Sequence, residues 1–178
     1  TGAFRFTGKS KSLLLWEAHL LINKGKKEQA VNLFNPVPKK FELPSFSQSP
    51  LEDAYDEIEL LGFPVRLTWF DMLQTGFRGE ITAWQMKDNV GKKVRMVGHL
   101  VTVKYIKTVR NEWMNFGCFI DPEGEFFDTT HFPPSLKVYP FRGSGTYLIL
   151  GKIADEFGYY TLEVEKMAKL PVKADPRY

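Results

Sequence analysis

The sequence predicts a mainly β protein, a small five-stranded barrel preceded by short α-helices and so α+β overall. Three observations carry this expectation. From Lys92 onward the apolar spacing changes from helical to alternating. Five extended runs follow, separated by Gly- and Pro-containing turn signals. The first of them, KKVRMVGHLVTVKYIKT, is long and β-branched, with Gly98 at its middle, where a bulge or sharp bend is expected.

The elements follow in order. Ser10 or Ser12 can cap a helix over about residues 13–24, where Leu13, Leu14, Trp16, Leu20 and Leu21 recur at helical spacing and Gly25 can end it. The apolar surface of this helix is wide for its length. The opening TGAFRFTGKS starts on Thr1 and reads as the inside of a longer chain, so a packing partner for the helix is expected outside the sequence; a processed terminus would look the same. Residues 35–50 contain Pro36, Pro38, Pro44 and Pro50 and read as an extended linker. A second helix starts at Pro50, with Glu52 and Asp53 in its first turn and Gly62 near its end. A third short helix is expected over 68–73.

In the second half, EWMNFGCFI and EFFDTTHF are joined by a tight turn at Pro122, Glu123 and Gly124. Residues 133–143 form a connector with room for one helical turn. TYLILGKIAD and YYTLEVEKMAKL then pair through Glu156, Phe157 and Gly158. A long bent first strand, a meander, a connector and a final hairpin describe the oligonucleotide/oligosaccharide-binding (OB) fold. An SH3-type barrel fits less well, because the connector falls between the third and fourth strands. The predicted organisation is a helical end piece (1–34), a Pro-rich linker (35–50), a small helical adaptor (51–91), the OB domain (92–170) and a tail (171–178).

Composition narrows the chemistry. A single thiol, Cys118, makes neither an internal disulfide nor a multi-cysteine zinc site. The longest apolar run, residues 13–22, is too short and too interrupted to span a bilayer, so no membrane partner is expected and the compartment is read as cytoplasmic. The net charge of +3 hides a segmented pattern: +6 over 1–40, −6 over 41–91, +6 over 92–110 and −3 over 111–178. Each block is either a solvated face or, for the positive ones, a local phosphate-facing stripe. The clustered acids Asp121, Glu123, Glu125 and Asp128 are spaced as a turn and strand edge and read as a solvated barrel edge. Asp128, His131 and His99 are weak metal candidates against the alternative of hydrogen-bonded structure. No nucleophile–base pair and no phosphate-binding glycine loop is present, so no catalytic residue, metal or cofactor is assigned.

The 26 aromatic residues (15 Phe, 7 Tyr and 4 Trp) exceed what a core of this size needs. OB barrels bind single strands across strands 2 and 3, between the first and last hairpin loops, pairing cations with rings on which bases stack. The residues at those places are Lys104, Lys107 and Arg110 at the first hairpin, Trp113 and Phe116 on the second strand, and Phe157, Tyr159 and Tyr160 at the last hairpin. Along the second strand Met114, Phe116 and Cys118 share one face, and Asn115, Gly117 and Phe119 the other. If Phe119 is core, Phe116 faces the ligand. Phe126, Phe127, Phe132, Phe141 and Tyr147 read instead as core and rim.

Several stretches in order resemble the C-terminal part of the bacterial replicative polymerase, the DNA polymerase III alpha subunit. Glu59 to Phe63 (ELLGF) is similar to the turn before that family's OB domain. Lys93 to Gly98 (KVRMVG) is similar to its opening strand, Phe119 to Gly124 (FIDPEG) to its second turn, His131 to Pro133 to a strand end, and Leu148 to Lys152 (LILGK) to its fourth strand. The resemblance covers most of 51–170. Pro64 to Leu67 departs from the family's SGHPL, and Pro122 with Glu123 departs from its basic and hydroxyl residues. The resemblance implies a non-catalytic part of the polymerase that holds single-stranded DNA and works with other replisome subunits, because the catalytic aspartates of that family lie far upstream. It also implies a sliding-clamp-binding peptide at Gln29, Leu33 and Phe34, although the usual spacing would place Ala30 in the Gln position; the alternative is that Leu33 and Phe34 staple the linker to its helix. An equivalent ring in anticodon-binding OB domains supports Phe116 as a stacking residue. A protein-interaction or structural barrel and an RNA-binding module are the alternative functions.

Overall fold

The structure, a computed structural model, describes residues 3–24 and 49–178. The chain divides into two compact units, residues 1–65 with 175–178 and residues 66–174. The first unit carries a 3₁₀ turn at Arg5–Thr7 and two helices, α1 (Lys11–Lys24) and α2 (Pro50–Leu61). Ser10 Oγ accepts from the Leu13 amide at 3.3 Å and starts α1; Leu15, Trp16, Leu20, Leu21 and Ile22 on it are exposed among the described residues. Ser49 and Glu52 form a reciprocal capping box at the start of α2, and Gly62, at φ 86°, ends it in the left-handed region. The Arg177 guanidinium gathers Asp56 at 2.7 Å, Glu59 at 2.9 Å and Asp175 at 2.7 Å, and Lys11 pairs with Asp56. Gly25 and the residues Gln29, Leu33 and Phe34 lie outside the described part.

The second unit is a closed barrel of five strands, β1 (Lys93–Lys107), β2 (Trp113–Ile120), β3 (Phe126–His131), β4 (Thr146–Glu156) and β5 (Tyr159–Lys169), in the order β1-β2-β3-β5-β4. All neighbours are antiparallel except β3 and β5. β1 is long enough to serve both halves: residues 93–99 pair with β4, and 99–107 pair with β2. A short helix, α3 (Pro133–Val138), sits between β3 and β4. This is the OB fold. Its core is built on Met96, Phe119, Phe127, Tyr147, Ile149, Ile153 and Leu162, all buried; each such side chain contributes about 1.5–3 kcal/mol by leaving water. Met86, in the 3₁₀ segment Ala83–Asn89, joins that core, and Tyr139 and Phe141 of the connector pack against it.

The bend in β1 differs from the expected place. Its register shift falls between Leu100 and Thr102, not at Gly98. Gly98 is needed for space: a Cβ there would come 2.7 Å from the Phe127 ring and 2.8 Å from Phe119 Cβ. The expected helix over 68–73 is also absent. The Asp71 carboxylate accepts from the Thr68 amide at 2.8 Å and from its hydroxyl at 2.7 Å, which closes tight turns, while Phe70, Met72 and Leu73 are buried. A segment this short has too few internal bonds to win against that competition. The connector holds α3, slightly more than the single turn expected, with Pro133 and Pro134 at its start where missing N–H groups cost nothing.

Residues 66–82 act as a strap on the outside of the barrel. Leu73 bridges to Val172, and Gly79 to Met96. The Glu80 carboxylate accepts from the Arg95 amide at 2.8 Å and pairs with its guanidinium at 2.6 Å. Phe70 and Leu73 cover Val97, with Leu148 and Leu170 beside them. Covered on both faces, four consecutive residues of β1, Met96, Val97, Gly98 and His99, are buried. The strap therefore closes the outer face over β1 and β4. It leaves open the outer face of the second half of β1, β2, β3 and β5.

Candidate nucleic-acid interface

Strand alternation sorts the residues of the open face. On β2, Asn115, Gly117 and Phe119 are buried inward while Met114, Phe116 and Cys118 point outward, as the sequence predicts. Cross-strand pairing then builds two rows over the face. In one, Lys104 on β1 is opposite Phe116, Phe116 is opposite Thr130 on β3, and Thr130 neighbours Glu163 on β5. In the other, Thr102, Cys118, Asp128 and Thr161 follow one another. Adjacent strands are about 4.8 Å apart, so the Phe116 ring has a cation on one side and a hydroxyl on the other. Phe116 is 36% exposed, enough to offer a ring face while its base stays anchored.

The remaining assigned residues separate. Lys107 is paired with Trp113, and its ammonium lies 5.1 Å from the indole centroid, a cation–π contact. By alternation these two belong with Tyr105 and Asn115 on the opposite face of the β1–β2 hairpin from Lys104 and Phe116. The expected single cluster is therefore two. Arg110 is exposed in the turn between the strands, where Asn111 adopts φ 59°. Tyr159 lies on β5 and its hydroxyl donates to Asp128; that bond, with burial, pushes the phenol up to about 12. Phe157 is fully exposed at the other hairpin tip, where φ is 58° for Phe157 and 85° for Gly158. Asp128 aligns with Thr161 and His131 with Asn115, so the two tips lie at opposite ends of the face along the strands.

The other candidates resolve into structure. Asp121 is not a solvated edge: it is buried, and its carboxylate accepts from the amides of Glu123, Glu125 and Ala83, each at 2.9 Å. It ties the β2–β3 turn to the 3₁₀ segment. His99 stacks on Trp69 at 4.6 Å and meets Thr146 Oγ1 at 3.1 Å through Nδ1; burial, then Lys169, pulls it down to about 4. His131, fully buried against Phe141 at 4.4 Å, is pulled to about 4 by burial. Among the described residues no group of three or more His, Cys, Asp or Glu could hold a metal. Cys118 is half-buried and held up at about 11 by burial and by Asp128. Phe127 and Tyr147 are core, and Phe126 and Phe132 are exposed, Phe126 because strand alternation turns it outward beside buried Phe127. Among the described residues no helix is long and apolar enough to cross a membrane.

Two features escaped the sequence. Tyr105 is exposed next to Trp113, and Asn115 is buried on the same side. The alternation of β1 contains Tyr105 plainly, but only the pairing register places it opposite Asn115.

The sequence matches no protein-family model and no curated protein. Several solved structures resemble less than half of this chain. PriB from Ralstonia solanacearum is 9% identical over 43% of this chain and 95% of its own, with a TM-score of 0.36. The single-stranded DNA binding protein of Thermus aquaticus is 13% identical over 46% of this chain and 41% of its own, with a TM-score of 0.39. The mitochondrial single-stranded DNA binding protein Rim1 of S. cerevisiae is 12% identical over 47% of this chain and 97% of its own, at 0.36.

Proposed function

We propose that this chain binds single-stranded DNA across the outer face of β1, β2 and β3. The row of Lys104, Phe116 and Thr130 carries the proposal. It places an exposed cation and a half-exposed ring side by side at the middle of the one barrel face the strap leaves open. A phosphate on the cation and a base on the ring is the minimal pairing by which single strands are held without sequence preference. Arg110 at one hairpin tip and Phe157 at the other extend it to both ends. Glu163 and the Asp128 beneath Tyr159 keep the β5 side acidic, which limits affinity and makes it salt-sensitive. Fluorescence anisotropy with a labelled single-stranded oligonucleotide at low salt tests this. Absence of binding, or binding unaffected by Phe116→Ala, overturns it.

The finer reading rests on the sequence resemblance. It makes the chain a non-catalytic part of a replicative DNA polymerase alpha subunit, tethered to the sliding clamp through Gln29, Leu33 and Phe34. A clamp pull-down with Leu33 and Phe34 changed to Ala tests the tether; unchanged retention dismisses it.

A further inference from the structure

On the opposite side of the β1–β2 hairpin from Phe116, a cleft of about 350 Å³ lies between the hairpin and the connector that follows β3. Tyr105, Trp113, Asn115, Leu136, Pro140 and Phe141 line it. Its volume falls in the range of about 300–1,000 Å³ seen for small-ligand clefts. Three of its six lining residues are aromatic, and Lys107 sits over the Trp113 indole. The walls favour a flat ring.

Asn115 makes the cleft more than an apolar groove. It is 3% exposed, yet its Oδ1 has no hydrogen-bond partner among the described residues. Its cross-strand neighbour is His131, whose Nδ1 is likewise unpartnered. The tautomer of that ring follows from its surroundings. The Thr129 hydroxyl donates to the Gly117 carbonyl at 3.0 Å, so at 2.9 Å it must accept from His131 Nε2–H, leaving Nδ1 an acceptor. Two acceptors without donors thus stand on facing positions of β2 and β3. A buried polar group left unpaired costs on folding, and of the two it is Asn115 that lines the cleft. The Asn115 amide offers a donor and an acceptor on one planar group, the pairing by which asparagine reads the edge of a base.

We propose that this cleft takes one nucleobase of a bound single strand, held against Tyr105, Trp113 and Phe141 and read along its polar edge by the Asn115 amide. The strand crosses the Phe116 face, and one base turns round the hairpin tip past Lys107. The proposal rests on the outer-face reading for the strand and adds base selectivity to a surface that has none by itself.

Two measurements separate the two ideas. The ¹⁵N–¹H side-chain amide signals of Asn115 are followed while dAMP, dCMP, dGMP and dTMP are added singly. A saturable shift with one nucleotide stronger than with the others is expected; no shift with any of the four overturns the cleft, whatever the outer face does. Anisotropy is then compared for dA, dC and dT oligomers of one length at fixed salt. Wild type should discriminate by about 5-fold to 100-fold, and Asn115→Ala should flatten this to within about twofold while retaining the weakest oligomer's affinity. Phe116→Ala should weaken all three alike. Discrimination unchanged in Asn115→Ala, or absent in wild type, overturns the cleft while leaving the outer face standing; no binding of any oligomer, with the amide shift intact, overturns the outer face alone. Should Asn115→Ala fail to fold, the exposed Trp113→Ala must show the same flattening, and retained discrimination there overturns the proposal.

Discussion

Lys104 and Phe116 are directly opposite one another across β1 and β2, both on the outer face of the barrel. Their pairing joins the two chemistries that a single strand offers, phosphate charge and base ring, within one inter-strand spacing.

From this pair follows a split of effects. Phe116→Ala should weaken single-strand binding by about 1–3 kcal/mol, the value of one stacked base, with little change in salt dependence. Lys104→Ala should lower the slope of log K against log salt by about 0.7, one released counterion on a single strand. Anisotropy across a salt series measures both, and equal slopes for the two variants would contradict the assignment.

Asp121 should be among the most sensitive positions in the barrel. Its carboxylate takes three amide hydrogens in a buried turn. Asp121→Ala leaves those donors without a partner, at about 1–3 kcal/mol for each one that water cannot reach. Urea denaturation followed by tryptophan fluorescence should show a loss of at least about 2 kcal/mol.

Gly98→Ala should destabilise through overpacking, because the added Cβ meets Phe127 at 2.7 Å and Phe119 at 2.8 Å. A cost of about 1–3 kcal/mol is expected. Shrinking the obstacle tests the cause: Gly98→Ala combined with Phe127→Leu should cost less than the sum of the two single changes in a double-mutant cycle.

Acid should weaken the fold through two buried histidines. His99 and His131 are held near 4 in the folded barrel by burial, against about 6.5 in the unfolded chain. Between those values the unfolded chain binds protons that the folded one refuses, so the stability these histidines contribute as neutral rings is complete above about 6.5 and drains away as pH falls towards 4. A lower urea midpoint at pH 5 than at pH 7 is expected, with the difference reduced in His99→Phe, which keeps a ring against Trp69. An unchanged difference in that variant would remove His99 from the account.

Ser49→Ala should loosen α2 by about 1 kcal/mol through loss of its capping box. Hydrogen exchange of the α2 amides reads this locally, and the barrel amides should not respond.

Much of the fold was legible because it rests on local physics. Alternation marks β2 and β3, the hairpin signal lies at Phe157 and Gly158, and Pro50 and Gly62 bracket α2 through backbone chemistry that neighbours in sequence supply. The outward turn of Phe116 followed from period two once Phe119 was taken as core. The failures have a common cause. The helix expected over 68–73 is replaced by turns because Asp71 bonds Thr68 and the apolar residues pack on the barrel. Asp121 reads as a surface acid until the amide of Ala83, 38 residues away, is found on it.

By itself, then, the sequence determined the five strands, their order along the chain, the α2 helix and the basic, aromatic character of the first hairpin. Each depends on periodicity, turn chemistry or composition within a few residues. Only the tertiary structure decided which barrel face the strap covers, that Lys104 and Phe116 share one side of the hairpin while Lys107 and Trp113 share the other, and that Asn115 and His131 are cross-strand partners, each with an unpaired buried atom. Those outcomes depend on pairing register and on the bulge between Leu100 and Thr102, and a shift of one residue would exchange every face.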